Sequence, residues 1–191
     1  MGKTQYLTAA SVDGFIADPD NSLEWLFQVP ENDTVGNVVA EFFSQVGAFA
    51  MGATTYEWMS AHEPAERWRE WYGDTPCWVF THRELTPLPG ANLRFVQGDV
   101  APVHQAMAEV AGDRNIWLVG GGELVGEFAD HGLLDEIILS VAPVTLGGGA
   151  PLLPRRMLSS RLRLMKVEQA GQFANLTYEV ARPEPLVEPA A

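Results

Sequence analysis

The stretch 115-NIWLVGGGELVGEFADHG-132 decides the fold class. NIWLVG (115–120) reads as a buried strand, and ELVGEFADHG (123–132) reads as a helix ending at Gly132. Three consecutive glycines, Gly120, Gly121 and Gly122, join them. Glycine loses more backbone freedom on folding than any other residue, so a triplet needs a reason. A strand running through a tight turn into a helix puts that turn at the carboxyl end of a parallel strand, where open α/β sheets bind ligands. The helix start offers unpaired N–H groups and the positive end of its dipole, and glycines let a pyrophosphate approach the backbone. The familiar phosphate signatures do not fit. A G-x-G-x-x-G count from Gly120 ends on Val125, a count from Gly121 meets Glu123 at its third position, and Glu127 stands where a P-loop needs lysine. Spacing alone leaves open a diphosphate cradle and a turn that binds nothing.

Working outward, strands and helices alternate. KTQYLTAAS (3–11) is a first strand, and the Asp-, Gly-, Pro- and Asn-rich 12–26 is a long loop carrying Phe15, Ile16 and Trp25. NDTVGNVVAEFFSQVG (32–47) has apolar residues at three- and four-residue steps and is a helix, with Asp33 or Thr34 as cap and Gly47 at its end. AFAMG (48–52) is a strand, 54–62 and 65–72 are helices, and CWVFT (77–81) and LRFVQG (93–98) are strands. Residues 100–112 form a helix, and 134–154 a strand followed by a Gly/Pro loop. Residues 161–182 form two antiparallel strands around QAGQ. This order is an α/β fold with a mainly parallel sheet and antiparallel strands at its C-terminal edge. One domain is expected over 1–180, with 181–191 as a disordered tail.

Composition narrows the partners. A net charge of −13 over 191 residues disfavours nucleic acid and anionic membranes. No apolar run is long enough to cross a bilayer, and the N-terminus lacks a signal-peptide pattern, so a cytoplasmic location is expected. Cys77 is the single cysteine and reads as a buried structural thiol; no metal site is expected.

Three motifs in one order carry a resemblance. IWLVGGGELVGEFADHGLLDEIILSVAPVTLGGGAPLLP (116–154), AASVDGFIA (9–17) and MGATTYEWM (51–59) resemble the dihydrofolate-reductase-like superfamily. The branch they resemble is the reductase domain of bifunctional riboflavin-biosynthesis deaminase/reductases, over roughly residues 3–180. The resemblance implies a central mainly parallel sheet with helices on both faces and NADPH as hydride donor. It implies that Gly52, Ala53, Thr54 and Thr55 take cofactor phosphate at a helix start, although Thr54 also suits a plain cap. It implies that Thr81, His82 and Arg83 read the adenosine 2′-phosphate, a role to which a guanidinium fork is suited. Val119, Gly120, Gly121, Gly122, Glu123, Leu124 and Val125 would hold the pyrophosphate and nicotinamide side, with Ala10, Ile16 and Ala17 along the nicotinamide. Asp33 is the candidate proton donor, alongside a held water, and Trp25 a loop residue over the substrate.

The activity implied is hydride transfer to a small nitrogen heterocycle. The nearest named activity is 5-amino-6-(5-phosphoribosylamino)uracil reductase, although Val119 stands where those reductases tend to carry an acidic residue. Dihydrofolate reduction is one alternative, and a nucleotide-binding module of the same fold without turnover is another. The terminal antiparallel strands suggest a homodimer.

Overall fold

The computed structural model describes residues 2–30, 33–62 and 65–182, with side chains described except at 33–38. The expected tail falls largely outside this range. Ten strands and six helices are present among these residues. In chain order they are β1 (Thr4–Ala10), β2 (Phe15–Ala17), α1 (Glu24–Phe27), α2 (Asp33–Ser44), β3 (Val46–Gly52), α3 (Ala53–His62), α4 (Ala65–Tyr72) and β4 (Cys77–Phe80). They continue with β5 (Leu93–Val96), α5 (Val100–Ala111), β6 (Asn115–Gly120), α6 (Gly122–Asp130), β7 (Glu136–Val141), β8 (Ala150–Pro151), β9 (Leu162–Ala170) and β10 (Phe173–Val180).

Eight strands form one sheet in the order β5-β4-β3-β6-β1-β7-β10-β9. The first six are parallel, and β10 and β9 are antiparallel, as the sequence pattern predicts. Side chains alternate across the sheet and divide the core in two. Ala48, Ala50, Ile116 and Leu118 face α5 and α6, packing with Met107, Val125 and Phe128. Phe49, Met51 and Trp117 face the other layer, with Tyr56 of α3, Trp68 of α4 and Phe43 of α2. Small alanines on one side of β3 let α5 lie close. On the other side Phe49 meets a ring cluster, with Tyr72 and Trp117 centroids 5.3 and 5.9 Å away. Cys77 is fully buried, and desolvation pushes its thiol well up.

Two regions that read as plain loop in the sequence are more structured. The segment 12–26 contains β2 and the start of α1, and the glycine loop after β7 contains β8, which pairs antiparallel with β2. Gly47 lies inside β3, not at the end of a helix. The pairing has no local signature, because its partners are more than 130 residues apart. It is held by backbone bonds, Val12 N–H to Val144 O (2.7 Å) and Leu152 N–H to Gly14 O (2.9 Å). Tyr6 Oη adds a bond to Leu152 O at 3.0 Å.

Asp13 is the clasp between these loops. Its carboxylate accepts from Ser11 Oγ (2.6 Å), Leu146 N (3.0 Å) and Gly147 N (2.7 Å). The Ser11 bond first, then the two backbone bonds, hold its pKa at about 2, against an ordinary 3.8. A depressed carboxyl contributes its full stabilisation above its unfolded value and loses it as pH falls through its folded value. Asp13→Asn should therefore lower Tm at neutral pH, with the difference from wild type shrinking between about pH 4 and about pH 2. Thermal melts across that range check this, and a constant difference would contradict it.

Candidate active-site crevice

β3 and β6 are neighbours in the sheet, yet the helices that follow them lie on opposite faces. A gap must open where the two chains part, and this is the topological position at which α/β sheets bind ligands. The turns at its rim almost touch: a Cβ built on Gly52 would sit 3.8 Å from Gly120 O and Gly121 N. The gap widens into a cavity of about 900 Å³. That is near the upper end of the roughly 300–1,000 Å³ common for small-molecule sites.

The three glycines of the β6–α6 turn have three different reasons. Gly120 has φ +139°, a conformation that side chains rarely adopt. Gly122 lies against the β8 backbone, where a Cβ would fall 2.4 Å from Pro151 O and 2.6 Å from Leu152 O. Gly121 is extended (φ −74°, ψ 177°), and a Cβ there would meet nothing within 4 Å. Conformation and packing therefore account for two of them. At Gly121 the empty space belongs to the cavity. The Gly120–Gly121 peptide is cis.

Helix starts supply the donors. Gly121 caps α6 without any side-chain hydrogen bond. α5 differs, since Asp99 there accepts from Ala101 N at 2.8 Å. Gly122, Glu123 and Leu124 of α6 line the cavity, as do Gly52 and Ala53, Thr54 and Thr55 at the start of α3. First-turn N–H groups of two helices thus border one crevice, a setting suited to a diphosphate. Thr81 and His82 line it beyond β4, and Gln97 and Gly98 beyond β5. The segment after Thr81 is anchored by Tyr56, whose hydroxyl donates to Thr86 O (2.8 Å) and accepts from Leu88 N (2.9 Å). Burial pushes this phenol up. Ile16, Ala17 and Val119 line the middle, and a Cβ on Gly120 would lie 4.0 Å from Ile16 Cδ1 and 3.9 Å from Thr55 Oγ1.

Four expected site residues lie elsewhere. Ala10 is buried at the end of β1, with its carbonyl accepting from Ala142 N (2.9 Å). Val125 points into the core beneath α6. Trp25 is buried against Val29, Ala142 and Phe173, forming the underside of the loop and not a wall of the cavity. Arg83 is off the lining, turned outward to Glu57 (2.9 Å), while its backbone N–H donates to Thr81 Oγ1 (2.9 Å). Asp33 opens α2, and its side chain lies outside the described residues.

None of the candidate site residues read from the sequence lies in the second half of the cavity. Leu7, Thr8 and Ala9 of β1, Trp117 of β6, Ser140 of β7, and Phe173 and Asn175 of β10 form its floor. Leu23, Leu26 and Phe27 come from the first loop and α1, and Trp58 and Met59 from α3. Strand pairing brings these together, with Ala9 opposite Ser140 and Ser140 opposite Asn175. Among the described residues no group of three or more His, Cys, Asp or Glu could hold a metal ion, and no helix is long and apolar enough to cross a membrane.

Comparison with known proteins agrees with this architecture. The uncharacterized protein YwjB of Bacillus subtilis (strain 168) is 33% identical over 177 residues, spanning 92% of this chain and 97% of the relative. The diaminohydroxyphosphoribosylaminopyrimidine deaminase/5-amino-6-(5-phosphoribosylamino)uracil reductase of Thermotoga maritima superposes with a TM-score of 0.65 at 18% identity. That match covers 94% of this chain and 57% of the larger protein. The dihydrofolate reductase of Enterococcus faecalis, solved with NADP(H), superposes with a TM-score of 0.58 at 14% identity, covering 94% and 96%. Both structural matches show the dihydrofolate-reductase-like fold. Residues 3–174 match the RibD C-terminal domain, and with the sheet order and the glycine turn already described, the chain belongs to that family.

Proposed function

We propose that this chain is an NADPH-dependent reductase, one domain over residues 1–180, acting on a small nitrogen heterocycle in the crevice between β3 and β6. The observation that carries the reading is the pairing of two helix-opening turns, Gly52–Ala53 and Gly120–Gly122, the second without a side-chain cap, across one cavity that Gly121 leaves open. Family membership supports it, and the nearest named activity is the uracil reductase in the name of the Thermotoga maritima protein.

When bound, the cofactor supplies a hydride from its nicotinamide ring. The protein's part is orientation. The N–H groups at the starts of α3 and α6 hold phosphate without any net positive charge, which suits so acidic a chain. Thr54, Thr55 and His82 add side-chain donors, and Arg83, which lies off the lining and pairs with Glu57, would leave that pair to take the 2′-phosphate. Ile16, Ala17 and Val119 form an apolar edge that excludes water from the nicotinamide. Asp33 or a held water delivers the proton. β9 is an edge strand that exposes Leu164, Met165 and Val167, and this supports a homodimer formed through it.

Two alanine variants separate the glycines. Gly121→Ala should leave Tm nearly unchanged and weaken NADPH by about tenfold or more. Gly122→Ala should cost about 1–3 kcal/mol, a fall in Tm of roughly 3–10 °C. Melting curves and calorimetric titration read both, and full NADPH affinity in Gly121→Ala would remove the cradle. Arg83→Ala should weaken NADPH about tenfold and NADH little; equal losses would count against a 2′-phosphate contact. Sedimentation should give twice the chain mass, and a monomer would exclude the dimer.

A further inference from the structure

The two halves of the cavity differ in their means of holding charge. The cofactor half has two helix starts, two threonine-bearing turns and His82. Among its described lining residues the other half has no helix start beyond that of the four-residue α1, and no histidine. Over the whole described lining there is no lysine or arginine, and the charged side chains are Glu123 and Glu127, both acidic. Of the neighbouring cations, Arg155 is held by Glu123 (2.8 Å) and Asp130 (2.7 Å), and Arg83 follows Thr81 and His82 at the cofactor half. A phosphate entering beside the floor strands would lose water and find no compensating cation.

What that half offers is flat apolar surface with a short polar strip. Phe27 and Trp58 stand near-parallel at its lip (6.1 Å, 16°), and Trp58 is backed by His62 at 4.3 Å. Leu7, Leu26 and Trp117 continue the wall. The strip is Ser140 and Asn175, facing partners on β7 and β10, and both neutral. Asn175 Oδ1 is shielded from solvent and has no hydrogen-bond partner. An orphan acceptor of this kind costs about 1–3 kcal/mol, and a turn of the Asn175 amide toward the cavity it lines would let a ring N–H supply the missing donor.

We propose that the substrate is an uncharged, unphosphorylated flat heterocycle, held between apolar walls and oriented by Ser140 and Asn175. This rests on the reductase reading and narrows it: the phosphoribosyl group in the name of the Thermotoga maritima protein has no counterpart site here.

The test is titration of the full chain, with and without NADPH, using three ligand pairs that differ by one phosphate. They are 5-amino-6-(ribosylamino)uracil, uridine and riboflavin, each against its 5′-phosphate. Trp58 and Trp117 line the cavity, so quenching of tryptophan emission reports binding, with calorimetry as the second readout. At least one phosphate-free compound should bind, about tenfold or more tightly than its phosphate. Equal or tighter binding of the phosphate in any pair that binds, or failure of all three phosphate-free compounds, overturns the proposal. Asn175→Leu should weaken the bound phosphate-free compound about tenfold and leave NADPH within about twofold; an unchanged affinity for that compound overturns the role of Asn175. Failure of the wild-type chain to bind NADPH would instead overturn the reductase reading, while the ligand pairs still decide the phosphate preference.

Discussion

The crevice exists because two paired strands send the chain to opposite faces of the sheet. β3 turns at Gly52 into α3 on one side, and β6 turns at Gly120 into α6 on the other. The two turns stay close: a Cβ on Gly52 would be in van der Waals contact with Gly120 O and Gly121 N. Every other feature of the site depends on this parting. The helix starts border the gap because they lie directly beyond the strands that diverge. The floor of the second half is the continuation of the same sheet through β1, β7 and β10.

The position of α6 depends in turn on a contact far away in sequence. Gly122 packs against the carbonyls of Pro151 and Leu152, and β8 is itself paired with β2. Asp13 clasps the same two loops through Leu146 and Gly147. Three long-range contacts therefore fix the edge on which Ile16 and Ala17 stand. The carboxylate in the VDG segment is structural. Its oxygens are occupied by Ser11 and two backbone amides, so it serves as a loop clasp and not as an acid facing the cavity.

Family and fold are legible in the residues because their signals are local and ordered. Strand–glycine–helix at 115–132, the MGATT turn and the alternating terminal strands each imply one element, and together they imply one sheet. That Gly52 to Thr55, Thr81, His82 and Gly120 to Leu124 share one cavity follows for the same reason, since they lie at strand ends. Arg83 and Val125 differ because a one- or two-residue step along a turn or helix rotates a side chain away from the cavity. For Arg83, Glu57 on α3 then supplies the opposite charge. Trp25 and Ala10 are drawn inward by burial, which no local pattern distinguishes from burial against a ligand.

The sequence by itself determined the alternation of strands and helices, the antiparallel close, the glycine turn and the acidic surface, because these depend on residue type and short-range period. The tertiary structure alone decided which of the three cavity-lining glycines has open space for a side chain, since Gly120, Gly121 and Gly122 are chemically identical and differ in φ and in what lies beside them. It also decided the character of the second half. Ala9, Ser140 and Asn175 are far apart in the chain, and sheet pairing sets them in one row. That register is a property of the whole sheet, so the neutral strip has no signature in any single segment.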